Sequence, residues 1–196
     1  MKFAVISEKL TKELTEELDF IEDEKEIISY AIHTTLLSII GIIMVVCLAY
    51  FLNVLKPTVI AVLFGGTLRR LSGGAHFNTP LKCLLFGTLV YCTIGVSAKL
   101  LFTYELLNQA ILIAVPSIAF LLVLILAPVD SPAKPINSKK LQIVLKISSL
   151  GFIIISLLLI RLMNDQLIIV SAVLGLLYQS ITLLPVFNGR EVKKSI

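Results

Sequence analysis

Tryptophan is absent, histidine occurs only twice and cysteine only three times, and acidic residues are rare beyond position 26. Each scarcity excludes something. Two histidines with no clustered carboxylates supply too few ligands for a metal centre, and no cofactor is expected. Cys47 and Cys92 fall inside apolar runs and read as small packing residues, so the three cysteines do not form a disulfide framework. Nine of the thirteen acids lie between Glu8 and Glu26, which leaves the rest of the chain strongly basic. The basic residues form no long stripe with interleaved aromatics, so nucleic acid is excluded as a partner. Anionic lipid headgroups or an acidic peptide fit better. The first 26 residues lack an apolar core followed by a small-residue cleavage site, so no cleavable signal peptide is expected.

Uncharged runs, by contrast, are abundant. The chain is 57% hydrophobic, above the roughly 45–50% of soluble domains, and its mean hydropathy is +0.98. Ile27–Leu55, Leu106–Val129 and Gln166–Gly189 contain no charge, and Leu141–Ile160 is interrupted only by Lys146. Each is long enough to cross roughly 30 Å of hydrocarbon as a helix. The expected fold is all-α and polytopic, with about six transmembrane helices. They are expected near 28–54, 57–68, 80–104, 106–127, 141–160 and 166–186, the second short or re-entrant. Residues 1–27 read as a cytoplasmic amphipathic interfacial helix, because Phe3, Ile6, Leu10, Leu14, Leu18 and Ile21 recur at three- and four-residue steps. Residues 28–187 form the helical transmembrane domain and 188–196 a basic cytoplasmic tail. With six crossings and the N-terminus inside, fourteen Lys and Arg residues fall inside and three outside: Lys56, Lys99 and Arg161. That topology puts both termini in the cytoplasm.

One segment breaks the apolar pattern: "RRLSGGAHFNTPLKC", residues 69–83. In this topology it lies at the cytoplasmic face. Thr79 and Pro80 signal a helix start, with Thr79 as cap. Cys83 then ends the first helical turn, where the helix dipole favours a thiolate, as do Lys82, Arg69 and Arg70. On one continuous helix His76 would stand about 10 Å from Cys83 along the axis, too far for a hydrogen bond. Pro80 breaks that helix, and Gly73 and Gly74 supply freedom for the chain to fold back. Spacing alone leaves two readings: a thiolate–imidazolium dyad, or an interfacial histidine beside an incidental cysteine. Asn78 and Asp130 are candidates for orienting His76. Arg69 and Arg70 either anchor the inner face or hold a substrate carbonyl or carboxylate. The loop "APVDSPAKPINSKK" adds Lys134, Lys139 and Lys140 as a second basic patch.

The 69–83 segment closely resembles the central motif of the accessory gene regulator B (AgrB) family, bacterial membrane peptidases that process quorum-sensing peptide precursors. "APVDSPAKPI" resembles the family's second signature, and the likeness covers nearly the whole chain. The resemblance implies that His76 and Cys83 are the catalytic pair of a cysteine endopeptidase, with Arg69, Arg70, Gly73 and Gly74 as flanking motif. It implies an AgrD-like precursor peptide as partner, with an acidic C-terminal tail, and a multi-pass protein of the bacterial cell membrane that forms a homodimer. Cys83 would cleave off the tail and hold the signal segment as a thioester, until the precursor's own cysteine or serine closes a thiolactone or lactone ring. The competing reading from the hydrophobic runs and the short second helix is a peptide transporter or exporter. The near absence of ionisable residues within the spans argues against it.

Overall fold

The computed structural model describes residues 22–75, 79–106, 108–130 and 138–188. His76, Asn78, Lys134 and the N-terminal segment 1–21 lie outside the described residues, as does the tail beyond 188. The chain divides into two units, 1–44 and 45–196. Among the described residues it is all-helical: α1 (Glu22–Phe51), α2 (Leu55–Ser72), α3 (Pro80–Thr103), α4 (Gln109–Leu126), α5 (Lys139–Leu162) and α6 (Gln166–Ile181). α1, α3 and α5 each contain an apolar stretch long enough to cross a membrane. The fold is that of a polytopic membrane protein.

The first unit is described from Glu22 onwards, as the start of α1. Its hydroxyls bond to their own helix: Thr34 Oγ1 donates to the Tyr30 carbonyl at 2.8 Å and Thr35 Oγ1 to that of Ala31 at 2.8 Å. Polar groups satisfied in this way tolerate hydrocarbon.

In the second unit α2 is the central element. Its 18 residues rise roughly 27 Å. Sequence reading ends this helix near Leu68, where the apolar run stops. The backbone instead stays helical through Arg69, Arg70, Leu71 and Ser72. Thr58, Ala61, Gly65, Leu68 and Ser72 repeat at helical spacing and form its buried face. α2 packs most extensively against α6, then against α3 and α5. A helix enclosed on these sides need not be apolar all round, which accommodates Lys56, Arg69 and Arg70. α2 and α6 meet backbone to backbone. A Cβ on Gly65 would stand 2.6 Å from the Gly175 carbonyl oxygen, and one on Gly175 would stand 2.5 Å from that of Ala61. Small residues at a crossing permit this approach and the dispersion contacts it brings. Around the pair, Leu68, Val123, Ile153, Val173 and Leu176 close an apolar core.

Successive helices α2 to α6 run antiparallel, so the bundle has two distinct ends. At one end Lys56 pairs with Asp165 at 2.6 Å, and Lys99 Nζ donates to the Asn53 carbonyl at 3.0 Å. Asp165 caps α6 by accepting from the Ile168 N–H, and Asn108 caps α4 by accepting from that of Ile111. The Lys56 hydrogen bond, helped by the Ile168 N–H, holds the Asp165 carboxyl below the usual carboxylate range. The other end gathers the C-termini of α2, α4 and α6 and the N-termini of α3 and α5.

Candidate active site

At this second end α2 stops at Gly73, whose N–H donates to the Arg69 carbonyl at 3.1 Å. Gly73 has φ +73° and Gly74 φ +132°, values that side-chain-bearing residues rarely adopt. Space imposes the same choice. A Cβ on Gly73 would collide with the Val129 carbonyl oxygen, and one on Gly74 would stand 2.7 Å from Thr182 Oγ1. The sequence reading expects backbone freedom from this pair, and the positive φ values use it; the turn packs between two other segments.

Those segments come from far along the chain. The Val129 N–H donates to the Ser72 carbonyl at 2.9 Å, and Gly73 and Val129 form an isolated parallel bridge. The Ala127–Pro128 peptide just before it is cis. From α6, the fully buried Gln179 donates through Nε2 to the Gly73 carbonyl at 2.7 Å and to Ser72 Oγ at 3.2 Å. Thr182 Oγ1 donates to the Gln179 carbonyl at 2.7 Å. A buried amide bonded to a backbone carbonyl fixes that backbone, because breaking the contact would strand polar groups away from water.

α3 begins at Pro80 as its sequence requires, with Thr79 extended at the cap position. The expected capping bond from the Thr79 side chain is not formed; its carbonyl instead accepts from the Cys83 N–H at 3.2 Å. Extended backbone at Thr79 and the fixed φ of Pro80 suffice to start the helix. Cys83 is half-buried in this first turn. Arg69 reaches it from α2: Nη2 lies 3.8 Å from Cys83 Sγ and also donates to the Ala75 carbonyl. One guanidinium thus joins the thiol to the residue that directly precedes His76.

Deeper in the bundle, Tyr91 of α3 and Tyr178 of α6 meet edge to face, ring centroids 5.6 Å apart. Arg69 is within electrostatic reach of both rings, and Cys83 of Tyr178. Arg70 and Lys82 are exposed near Arg69 and Cys83 in sequence, and Lys139 and Lys140 are exposed at the start of α5. Asp130 is exposed directly after Val129. The structure therefore gathers Arg69, Gly73, Gly74 and Cys83 closely, and leaves the other described candidates on the surrounding surface. Sequence reading missed Gln179, Ser72, Thr182, Tyr91 and Tyr178. A signal for Gln179 was present: it is a lone amide within "SAVLGLLYQSITLL".

The chain matches accessory gene regulator B over residues 7–183. It is 28% identical to an AgrB-like protein of Clostridium perfringens (strain SM101 / Type A), covering 93% of this chain and 92% of that protein. It is 30% identical to AgrB-like protein 2 of Clostridium perfringens (strain 13 / Type A), covering 78% and 72% respectively. No solved structure matches it.

Proposed function

The chain belongs to the accessory gene regulator B family, and from that premise we propose that it is a cysteine endopeptidase acting on a quorum-sensing precursor peptide. Membership supports a role in the accessory gene regulator system and an association with an AgrD-like precursor. The cleavage chemistry is our own reading. The observation that carries it is the Arg69 guanidinium shared between Cys83 Sγ and the Ala75 carbonyl. It links the thiol to the backbone entering His76, while Gln179 and Val129 hold the turn before it.

His76 takes the Cys83 proton, and the thiolate attacks the carbonyl carbon at the end of the signal segment. A C–S bond forms, the C–N bond breaks, and the departing amine takes the proton from His76. The precursor's own thiol then attacks this thioester, giving up its proton to His76. Its sulfur takes the acyl group and Cys83 leaves as thiolate. Attack from within the same chain outcompetes water because the nucleophile is held close.

Bundle charge supports placing this end at the cytoplasmic face. Arg69, Arg70, Lys82, Lys139, Lys140 and Lys146 lie towards it, against Lys56, Lys99 and Arg161 towards the other. Such a surface attracts an acidic leaving segment.

The test is co-expression of Cys83→Ala and His76→Ala with a candidate precursor, followed by mass spectrometry of the peptide. Both variants are expected in the membrane at normal levels with the precursor intact. Cleavage by Cys83→Ala would overturn the reading.

A further inference from the structure

One face of α5 changes character along its length. Ser149, Ile153, Ser156 and Ile160 are its buried residues, at alternating steps of four and three. They are turned towards the neighbouring helices: Ile153 and Ile160 join the core shared with Leu68 of α2 and Val123 of α4. The same stripe continues towards the active-site end as Lys146, Gln142 and Lys139, which lie three, seven and ten residues before Ser149. Burial ceases there. Lys146 is half-buried, and Gln142 and Lys139 are exposed. Lys146 interrupts an otherwise uncharged run and stands about 10 Å along α5 from Lys139. Among the described residues it forms no ion pair and no hydrogen bond, whereas Lys56 and Lys99 at the far end each have a partner. A cation at membrane depth is costly without a counter-charge, and one that faces a bundle instead of lipid marks a place for an anion. Helix α3, which carries Cys83, and α5 both pack against α2. Packed helix axes lie about 8–10 Å apart, so Lys146 and the thiol stand within roughly 20 Å of each other across the bundle. An extended peptide covers that span in about six residues.

We propose that Lys146, with Gln142 beside it, holds a carboxylate of the released segment of the precursor, about six residues beyond the cleaved bond. This rests on the peptidase reading and adds which part of the substrate the α5 stripe recognises. Lys146 and Gln142 stand four residues apart on one helix, so both reach a single carboxylate: the ammonium pairs with it and the amide N–H donates to it. Lys139 and Lys140, exposed in the first turn, draw the acidic segment in, and Lys146 fixes its register. A lipid phosphate has the same chemistry for an ammonium, but this stripe is turned towards α2 and α4 and not towards the bilayer.

The test uses the full-length protein in membranes and a candidate precursor in two forms, with glutamate or with glutamine at the acidic positions of its released segment. Tail release is followed by mass spectrometry. Lys146→Gln is expected to raise KM for the glutamate form roughly five- to tenfold with kcat retained, and to leave the glutamine form unchanged. Lys146→Arg keeps the charge and should recover most of the loss. Wild type needs no substitution to report the same contact: exchanging the glutamates for glutamine one at a time should raise KM most at about the sixth residue beyond the bond. An unchanged KM in Lys146→Gln, an equal rise for both precursor forms, or a wild type indifferent to tail charge overturns the proposal. The equal rise would assign Lys146 to a lipid headgroup or to folding. Failure of the peptidase reading looks different: wild type releases no tail from either form, or Cys83→Ala releases it equally well.

Discussion

The two ends of the α2–α6 bundle are closed by different physics. At the far end Lys56 and Asp165 pair in reach of water, with 57% and 39% of their side chains exposed. Exposed pairs gain little, because solvent screens them and ordering two side chains opposes the gain. At the site end a neutral network does the closing: Gln179, Ser72 and the Gly73 carbonyl, all within the protein. Groups with no access to water must keep their partners, so this end tolerates far less change. The buried polar groups that hold the Gly73 turn are thus uncharged, whereas the charged side chains lie at the rims, apart from Lys146 on α5 and Arg69, which reaches Cys83 and the Ala75 carbonyl.

Substitutions ranked by expected effect probe that contrast. Arg69→Ala removes the guanidinium that reaches both Cys83 Sγ and the Ala75 carbonyl. It should lower precursor processing about 10²–10³-fold, equivalent to about 3–4 kcal/mol, as read by the rate of tail release. Arg69→Lys should recover little of this, since a single ammonium cannot span both acceptors as the fork does. Gly73→Ala should cost about 2–3 kcal/mol of stability from positive φ and the Val129 collision together, seen as a lower Tm in detergent. Gln179→Leu should cost about 1–2 kcal/mol by removing the shorter of the two hydrogen bonds to the Gly73 carbonyl, leaving only the 3.4 Å contact from Ser72 Oγ, and should lower processing roughly tenfold. Equal effects of Gln179→Leu and Lys56→Ala would erase the distinction between the ends.

The smallest effect belongs to the far end. Lys56→Ala should leave Tm within error and processing unchanged. The pH response there has a definite sign. The Asp165 carboxyl is held below its ordinary value, so its contribution is present above the usual carboxylate range, near pH 4, and is lost as pH falls through the lower folded value. Because the pair is exposed, the melting curves of wild type and Asp165→Asn should differ little above that range and coincide below it.

Much of the helical framework was legible because long uncharged runs and Pro80 mark it directly. α3 starts at Pro80 and α6 at Gln166, as the sequence implies. α2 was read too short, since charge ends a hydrophobic run without ending a helix. The Gly-Gly pair announced an unusual backbone, but not that Val129 and Thr182 would wedge it. Contacts such as Gln179 to Gly73 join residues more than a hundred positions apart, and no local pattern encodes such a pairing. The motif around Cys83 was readable because its chemistry is local: a helix start, a thiol and nearby cations within fifteen residues.

Enclosure of α2 by its neighbours carries a consequence for biosynthesis. α2 leaves the ribosome long before α6, the helix that covers most of it. In the interval the Gly65 face that meets Gly175 has no partner, and a helix carrying three cations is a poor candidate for stable partitioning into lipid alone. Insertion of this segment is therefore completed by a later part of the same polypeptide. A nascent chain halted before Gln166 should hold α2 loosely and be readily extracted or degraded, whereas one released after Ile181 should lock it in place.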